Sequence, residues 1–333
     1  MTTWPTAELH VHVEGTLEAD LLVELARRND VRLPSYDPEV LTARYAFADL
    51  QSFLDVYYSN LSVLRTEQDF YDLASAYLRR AEQAGVRRAE IFFDPQTHLG
   101  NGVPFEAVIR GLDAAIADAT RGSGLSADLI LCFQRDLGAD AAMQTLETAL
   151  PFRDSFIGVG LDSAEVGYPP SLFTEVYARA AAEGLHRVAH AGEEGGPEYV
   201  REALDMLKVE RVDHGNRALE DPALVQRLRD ERIPLTVCPL SNVALRTAPS
   251  DLAQHPLTAM LAEGLLVSVN SDDPAYFGGY VDDNYRAMES ALSLDASQLA
   301  MLARNSFEST FATDAAKAAW IAEVDAVLAK VSG

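Results

Sequence analysis

Eight short apolar runs, each separated from the next by a stretch of helical period, constrain the fold of this 333-residue chain more than any other feature. The runs are TAELHVHVEG, VRRAEIFFD, ADLILCFQ, FIGVGLDS, LHRVAHAG, VERVDHG, PLTVCPLS and LLVSVNSDD. Between them lie amphipathic segments such as QDFYDLASAYLRRAEQAG and PSLFTEVYARAAAEG. Strands that alternate with helices build parallel sheets, because each helical crossover returns the chain to the same sheet end. An open doubly wound sheet would satisfy this. A count of eight favours an α/β fold of the closed (β/α)8 TIM-barrel type, with residues 1–333 as one domain. No Gly-x-Gly-x-x-Gly or phosphate-loop motif follows a strand, and no low-complexity linker divides the chain. Residues 32–65 read as an extra, mostly helical insertion after strand one, placed to cap a pocket at the catalytic face. The tail from Val281 reads as helical and closes the outer ring.

Composition narrows the function. A hydrophobic content of 48% supplies a large core, and the formal net charge of −24 argues against nucleic acid or an anionic membrane as partner. A neutral nucleobase remains compatible. Cys132 and Cys238 belong to no Cys-x-x-Cys pair and lie in apolar runs, so both are expected as small buried residues. No stretch is apolar enough to span a bilayer and the first residues lack a basic and apolar leader, so the expected location is the cytoplasm. A homo-oligomer is compatible with the sequence, which carries no signal for it.

Barrel enzymes carry their chemistry at the C-terminal ends of the strands. Strand one ends with His10 and His12, which alternation sends to one face while Val11 and Val13 go to the other. Strand four ends with Asp162, Ser163 and Glu165, strand five with His190 followed by Glu193, strand six with Asp213 and His214, and strand eight with Asp272 and Asp273. Singly, each has a plain reading. A lone strand histidine is more often a satisfied core residue than a ligand, and an Asp pair can cap a helix. His186, at a strand start, and His255, in a Pro-flanked loop, keep that plain reading; the role of His98, after strand two, stays open. Five polar endings converging on one rim are hard to explain as stability.

Three neutral imidazoles and one carboxylate suit Zn²⁺, and can also hold Fe²⁺ or another divalent ion. His10, His12, His190 and Asp272 are the expected ligands of one such metal, with an open position for a water whose pKa falls toward ~7. His214 can then accept the water's proton or hold the hydroxide in line. Glu193 can donate a proton to a substrate nitrogen, and Asp273 can hydrogen-bond the substrate.

The segments ELHVHVEGTLE, AHAGEEG, RVDHG, CPLSN and VNSDDPAYFGG resemble, in order and spacing, the adenosine/adenine deaminase family of the amidohydrolase superfamily. The similarity spans nearly the whole chain. It implies His10, His12, His190 and Asp272 as metal ligands, Glu193 as the acid that protonates the purine ring, His214 as the group orienting the hydroxide, and Asp273 as the contact to purine N7. HVE at His12–Glu14 also mimics half of the cytidine deaminase signature, but the Pro-Cys-x-x-Cys half is missing. Glu14 is expected to line the pocket instead.

Within the family, LDSAEVG places Glu165 where adenosine deaminases carry a glycine that contacts purine N3. A carboxylate there would accept the N–H of free adenine and clash with a ribose on N9. Together with RVDHG and SDDPAYFGGY, this resembles the adenine deaminase branch and implies hydrolysis of adenine to hypoxanthine and ammonia, with Glu165, Ser163, Glu14 and Asp273 against the base. The alternatives are, in order, a deaminase of N6-substituted adenines, an adenosine deaminase, and a silent metal-holding purine-binding protein. Intact Glu193 and His214 speak against the last.

Overall fold

The computed structural model describes residues 3–332, and all eight expected runs contain strands. These are β1 (Thr6–Glu8), β2 (Val86–Phe93), β3 (Ser126–Gln134), β4 (Gly158–Asp162), β5 (His186–Ala191), β6 (Arg211–His214), β7 (Pro234–Val237) and β8 (Leu266–Val269). Neighbours in sequence pair in parallel throughout, in the order β1 to β8. The ring closes through a parallel bridge between Val11 and Asp272. There the Asp272 N–H donates to the His10 carbonyl at 2.9 Å and the His12 N–H donates to the Asp272 carbonyl at 3.1 Å. The result is a (β/α)8 barrel whose seam is made by two of the expected site segments.

Strand one departs from expectation. Regular pairing stops at Glu8, because the Leu9 N–H donates to the Asn270 side chain at 2.8 Å instead of to a neighbouring strand. Contact with β2 resumes beyond it, where Phe92 N–H donates to the Val11 carbonyl and Val13 N–H to the Phe92 carbonyl, both at 2.9 Å. Alternation survives the break. Leu9, Val11 and Val13 are buried in the apolar layer under the helices, while His10 and His12 turn inward, their ring centroids each 5.1 Å from Phe92.

Packing separates the molecule into layers. Phe92, Ile130, Cys132 and Val188 fill the barrel interior below the histidines. Gly160 has to lack a side chain here, since a Cβ would lie 2.6 Å from the Cys132 sulfur. Toward the N-terminal ends of the strands, fully buried Arg211 donates to fully buried Glu90 at 2.6 Å. Outside, the helix Glu67–Gln83 buries Phe70, Leu73, Ala74, Tyr77, Leu78 and Ala81, one stripe of helical period. Both cysteines are buried and free. The insertion supplies the helices Pro38–Thr42 and Leu50–Asn60, and the tail supplies Val281–Leu292, Ala296–Glu308 and Asp314–Val331. Among the described residues no helix is long and apolar enough to cross a membrane.

Candidate active site

Ligand atoms of His10, His12, His190 and Asp272 all lie within 4.8 Å of one another at the C-terminal mouth of the barrel. His12 Nε2 is 3.2 Å from His190 Nε2, and Asp272 Oδ1 is 3.2 Å from His10 Nε2 and 3.6 Å from His12 Nε2. Nitrogens about 2 Å from one shared ion would stand at such separations. His10 Nε2 is buried without any hydrogen-bond partner, which is costly unless an ion or water completes it. The donor set therefore fits a divalent transition metal.

Partners behind these groups fix their orientation. His10 Nδ1 meets Thr236 Oγ1 at 2.9 Å, and Thr236 donates onward to Asp213 at 2.9 Å. His12 Nδ1 stands 3.6 Å from both Asp94 and Asp162. Ser241 donates to Asp272 Oδ2 at 2.6 Å. Ser163, His214 and Asp272 hold left-handed backbone conformations, with φ of 69°, 62° and 67°. Such conformations are strained for residues with a Cβ, and they sit here at the strand ends where side chains are aimed into the site.

Charge is unevenly spread around the cluster. Burial opposes a charge on His12, yet Asp273, Asp94 and Asp162 raise its imidazole well above the ordinary value. Burial also opposes a charged Asp272, but His10, His214 and His12 hold that carboxyl well below the usual range. Glu193 goes the other way. Burial, reinforced by Asp272 and Glu165, pushes its carboxyl well up, toward the protonated form. Burial and Asp272 do the same to Asp273. Burial and His10 push His214 down to about 3, leaving it neutral. Its Nε2 lies 3.5 Å from Glu193 and 3.9 Å from Asp272. Around the donor cluster the carboxyls thus split in direction, Glu193, Asp273 and Asp162 toward the protonated form and Asp272 and Asp94 toward the ionised one, beside the neutral His214.

A pocket opens over this arrangement, with about 390 Å³ of empty space, part of it continuous with solvent. His12, His190, Glu193, His214, Asp272, Asp273 and Ser163 line it from the barrel, and Leu50, Phe53, Leu54, Tyr57 and Tyr58 from the insertion. Tyr58 donates to Ser163 across the mouth at 3.0 Å. Gly15 makes room for Asp273: a Cβ there would lie 1.9 Å from an Asp273 oxygen.

Two expected pocket residues are elsewhere. Glu165 is buried, and its oxygens accept four backbone N–H groups, from Gly192 at 2.7 Å, Glu193 at 3.0 Å, and Glu194 and Gly195 at 2.8 Å each. A carboxylate so engaged clamps the loop that carries Glu193, and it does not line the pocket. Glu14 accepts from the Asp94 N–H and from His98 Nε2, both at 3.0 Å, behind the pocket wall. His98 is thereby accounted for as its partner. Conversely, Asp94 and Asp162 do line the pocket, with buried oxygens lacking partners. Asp162 ends β4 and Asp94 directly follows β2, and that was the signal available for them. Cys238 lies near His10, His214 and Asp272, but burial pushes its thiol well up and it contacts the Thr236 carbonyl, so it is a thiol packed under the site.

The sequence profile of the adenosine deaminase family matches residues 5–327. An adenine deaminase of Streptomyces coelicolor is 59% identical over 324 residues, covering 97% of this chain and 95% of that protein. An adenine deaminase of Cupriavidus metallidurans is 57% identical, covering 96% and 90%. Among solved structures, adenine deaminase from Arthrobacter aurescens superposes with a TM-score of 0.95 at 54% identity, over 97% of this chain and 98% of that one. A zinc-containing amidohydrolase from Burkholderia ambifaria superposes at 0.91 and 29% identity, over 99% and 93%.

Proposed function

The chain belongs to the adenosine deaminase family, and from that premise we propose that it hydrolyses adenine to hypoxanthine and ammonia. The observation that carries the chemistry is the meeting of a four-donor cluster with Glu193, His214 and Asp273 on one pocket wall, the two carboxyls pushed toward the protonated form and His214 toward the neutral one. His10, His12, His190 and Asp272 would hold one divalent ion, zinc or iron(II) by their chemistry. When bound, that ion would supply Lewis acidity and lower the pKa of a water toward ~7.

The chain's own residues do the rest. Glu193 hands its proton to ring N1, which draws electrons from C6 and opens it to attack by water. Asp273, its carboxyl pushed toward the protonated form, donates to N7, an acceptor in the free base, and so orients the ring. Water adds at C6; one of its protons restores the Glu193 carboxyl and the other passes to N6 as the C6–N6 bond breaks, so N6 leaves as ammonia while N1 keeps the proton that Glu193 gave. The N–H of the free base needs an acceptor. Asp94 has an unpaired oxygen on the pocket wall and, against burial, is held toward the ionised form by His12; in this reading it is the acceptor, in place of Glu165. A nucleoside, alkylated at N9, offers no such donor, and a site built around a donor rejects analogues lacking it strongly.

Steady-state kinetics on adenine, adenosine and an N6-alkyl adenine, with metal analysis, test the reading. The expected result is the highest kcat/KM on adenine, lost on chelation and restored by zinc or iron(II). A preference for adenosine, or full activity after chelation, would overturn it.

A further inference from the structure

His214 can serve either as an acceptor of a proton or as a donor that orients an oxygen, and the difference is which ring nitrogen carries the hydrogen. A chain of contacts behind it decides this. It begins at a group with no ambiguity, the backbone N–H of Leu257, which donates to His255 Nδ1 at 3.2 Å. His255 is buried, and burial holds it down to about 4, so the ring is neutral and has one N–H. With Nδ1 accepting, that N–H is on Nε2. His255 Nε2 then faces Asn242 Oδ1 at 3.4 Å as donor to acceptor. The opposite side of the amide, Nδ2, faces His214 Nδ1 at 3.2 Å. Its second hydrogen is taken by Thr247 Oγ1 at 3.4 Å. Turning the amide over would set its NH₂ against the Nε2–H of His255, two donors facing each other. Asn242 is also buried, and its own N–H is held by the Cys238 carbonyl at 2.8 Å.

We infer that Asn242 and His255 are positioning residues that lock His214 as the Nε2–H tautomer, so that His214 presents a hydrogen-bond donor to the reacting oxygen and does not take its proton. Each contact hands the next group one allowed role: Leu257 N–H to His255, His255 to Asn242, Asn242 to His214. With Nδ1 occupied as an acceptor, the hydrogen points from Nε2 into the space bordered by Glu193 and Asp272. A donor there steers a lone pair of the attacking oxygen toward C6. The inference rests on the placement of His214 in the site proposed above, but the tautomer can be read without turnover.

In zinc-loaded, ¹⁵N-labelled protein, long-range ¹H–¹⁵N spectra report each imidazole nitrogen as protonated or bare, and comparison with His214→Gln assigns the signals. The expected signature is a bare Nδ1 and a protonated Nε2 on His214; the reverse would overturn the inference. Asn242→Asp presents an acceptor to Nδ1 and should reverse the tautomer, with kcat falling about 10²-fold and metal content unchanged. His255→Leu should let the amide turn and give mixed tautomers with a smaller loss, while His255→Gln, which keeps a donor, should restore both. If His255→Leu and Asn242→Asp each keep the wild-type signature, the relay does not set the tautomer. A wild-type protein inactive on adenine would remove the proposed substrate and leave this spectrum to decide the relay by itself.

Discussion

At the scale of single residues, Glu165 bears on the proposed chemistry through the backbone of a neighbouring loop. Its carboxylate accepts four consecutive N–H groups of the loop bearing Glu193, and charge-assisted bonds of this kind are about twice as strong as neutral ones. Glu165→Gln keeps the shape but turns an NH₂ toward backbone donors. The expected outcome is a kcat on adenine lower by roughly tenfold to a hundredfold, the scale of a misplacement of about 1 Å, with KM and metal content little changed. Kinetics beside metal analysis check it; an unaltered kcat would mean that the loop holds itself. Glu193→Gln is expected to cost more, ~10²–10⁴-fold, again with metal retained, and parallel loss of metal and activity would make Glu193 a ligand.

At the scale of elements, the insertion covers the pocket and is held there by aromatic packing. Phe53, from the helix Leu50–Asn60, packs 4.8 Å from Phe277 and 5.5 Å from Tyr276, and Asn60 donates to the Tyr276 hydroxyl at 3.2 Å. Phe277 and Tyr276 lie in the short helix Pro274–Phe277 that follows Asp273 directly. The cap and the pocket-lining Asp273 are thus neighbours in one packing unit. Phe53→Ala removes side-chain packing worth about 3–5 kcal/mol in a closed core. The loss is expected to fall on the cap: faster amide exchange over residues 50–60 and a raised KM for adenine, with the barrel strands still protected. Exchange that accelerates equally in β2 and β3 would show that the cap is not a separate unit.

At the scale of the whole molecule, one buried ion pair ties the two ends of the chain to the barrel. Arg211, on β6, donates to Glu90 of β2 at 2.6 Å, to the Ser309 carbonyl at 3.3 Å and to the Leu9 carbonyl at 3.4 Å, with its guanidinium 4.7 Å from the Phe311 ring centre. Burial disfavours a charged Glu90, but Arg211 and Arg88 keep its carboxyl below the usual range. Glu90→Ala would take the nearest carboxylate from buried Arg211 and leave it Asp213 at 3.8 Å, expected to cost about 3 kcal/mol and to lower Tm by roughly 10 °C; an unchanged melting curve would contradict the pair's structural role. What the sequence determined alone was everything with a local period or a local address. The eight strands follow from alternating apolar runs and helical stripes, and the His10, His12, His190, Glu193, His214, Asp272 and Asp273 set follows from strand ends, because a barrel brings all strand ends to one rim. The tertiary structure decided what depends on contacts between distant segments: that β1 breaks at Leu9 for Asn270, that Glu165 turns away from the pocket to four N–H groups some thirty residues on, and that Asn242 and His255 stand behind His214. A buried polar group takes whichever partner the fold brings within reach, and no periodicity in the chain encodes that partner.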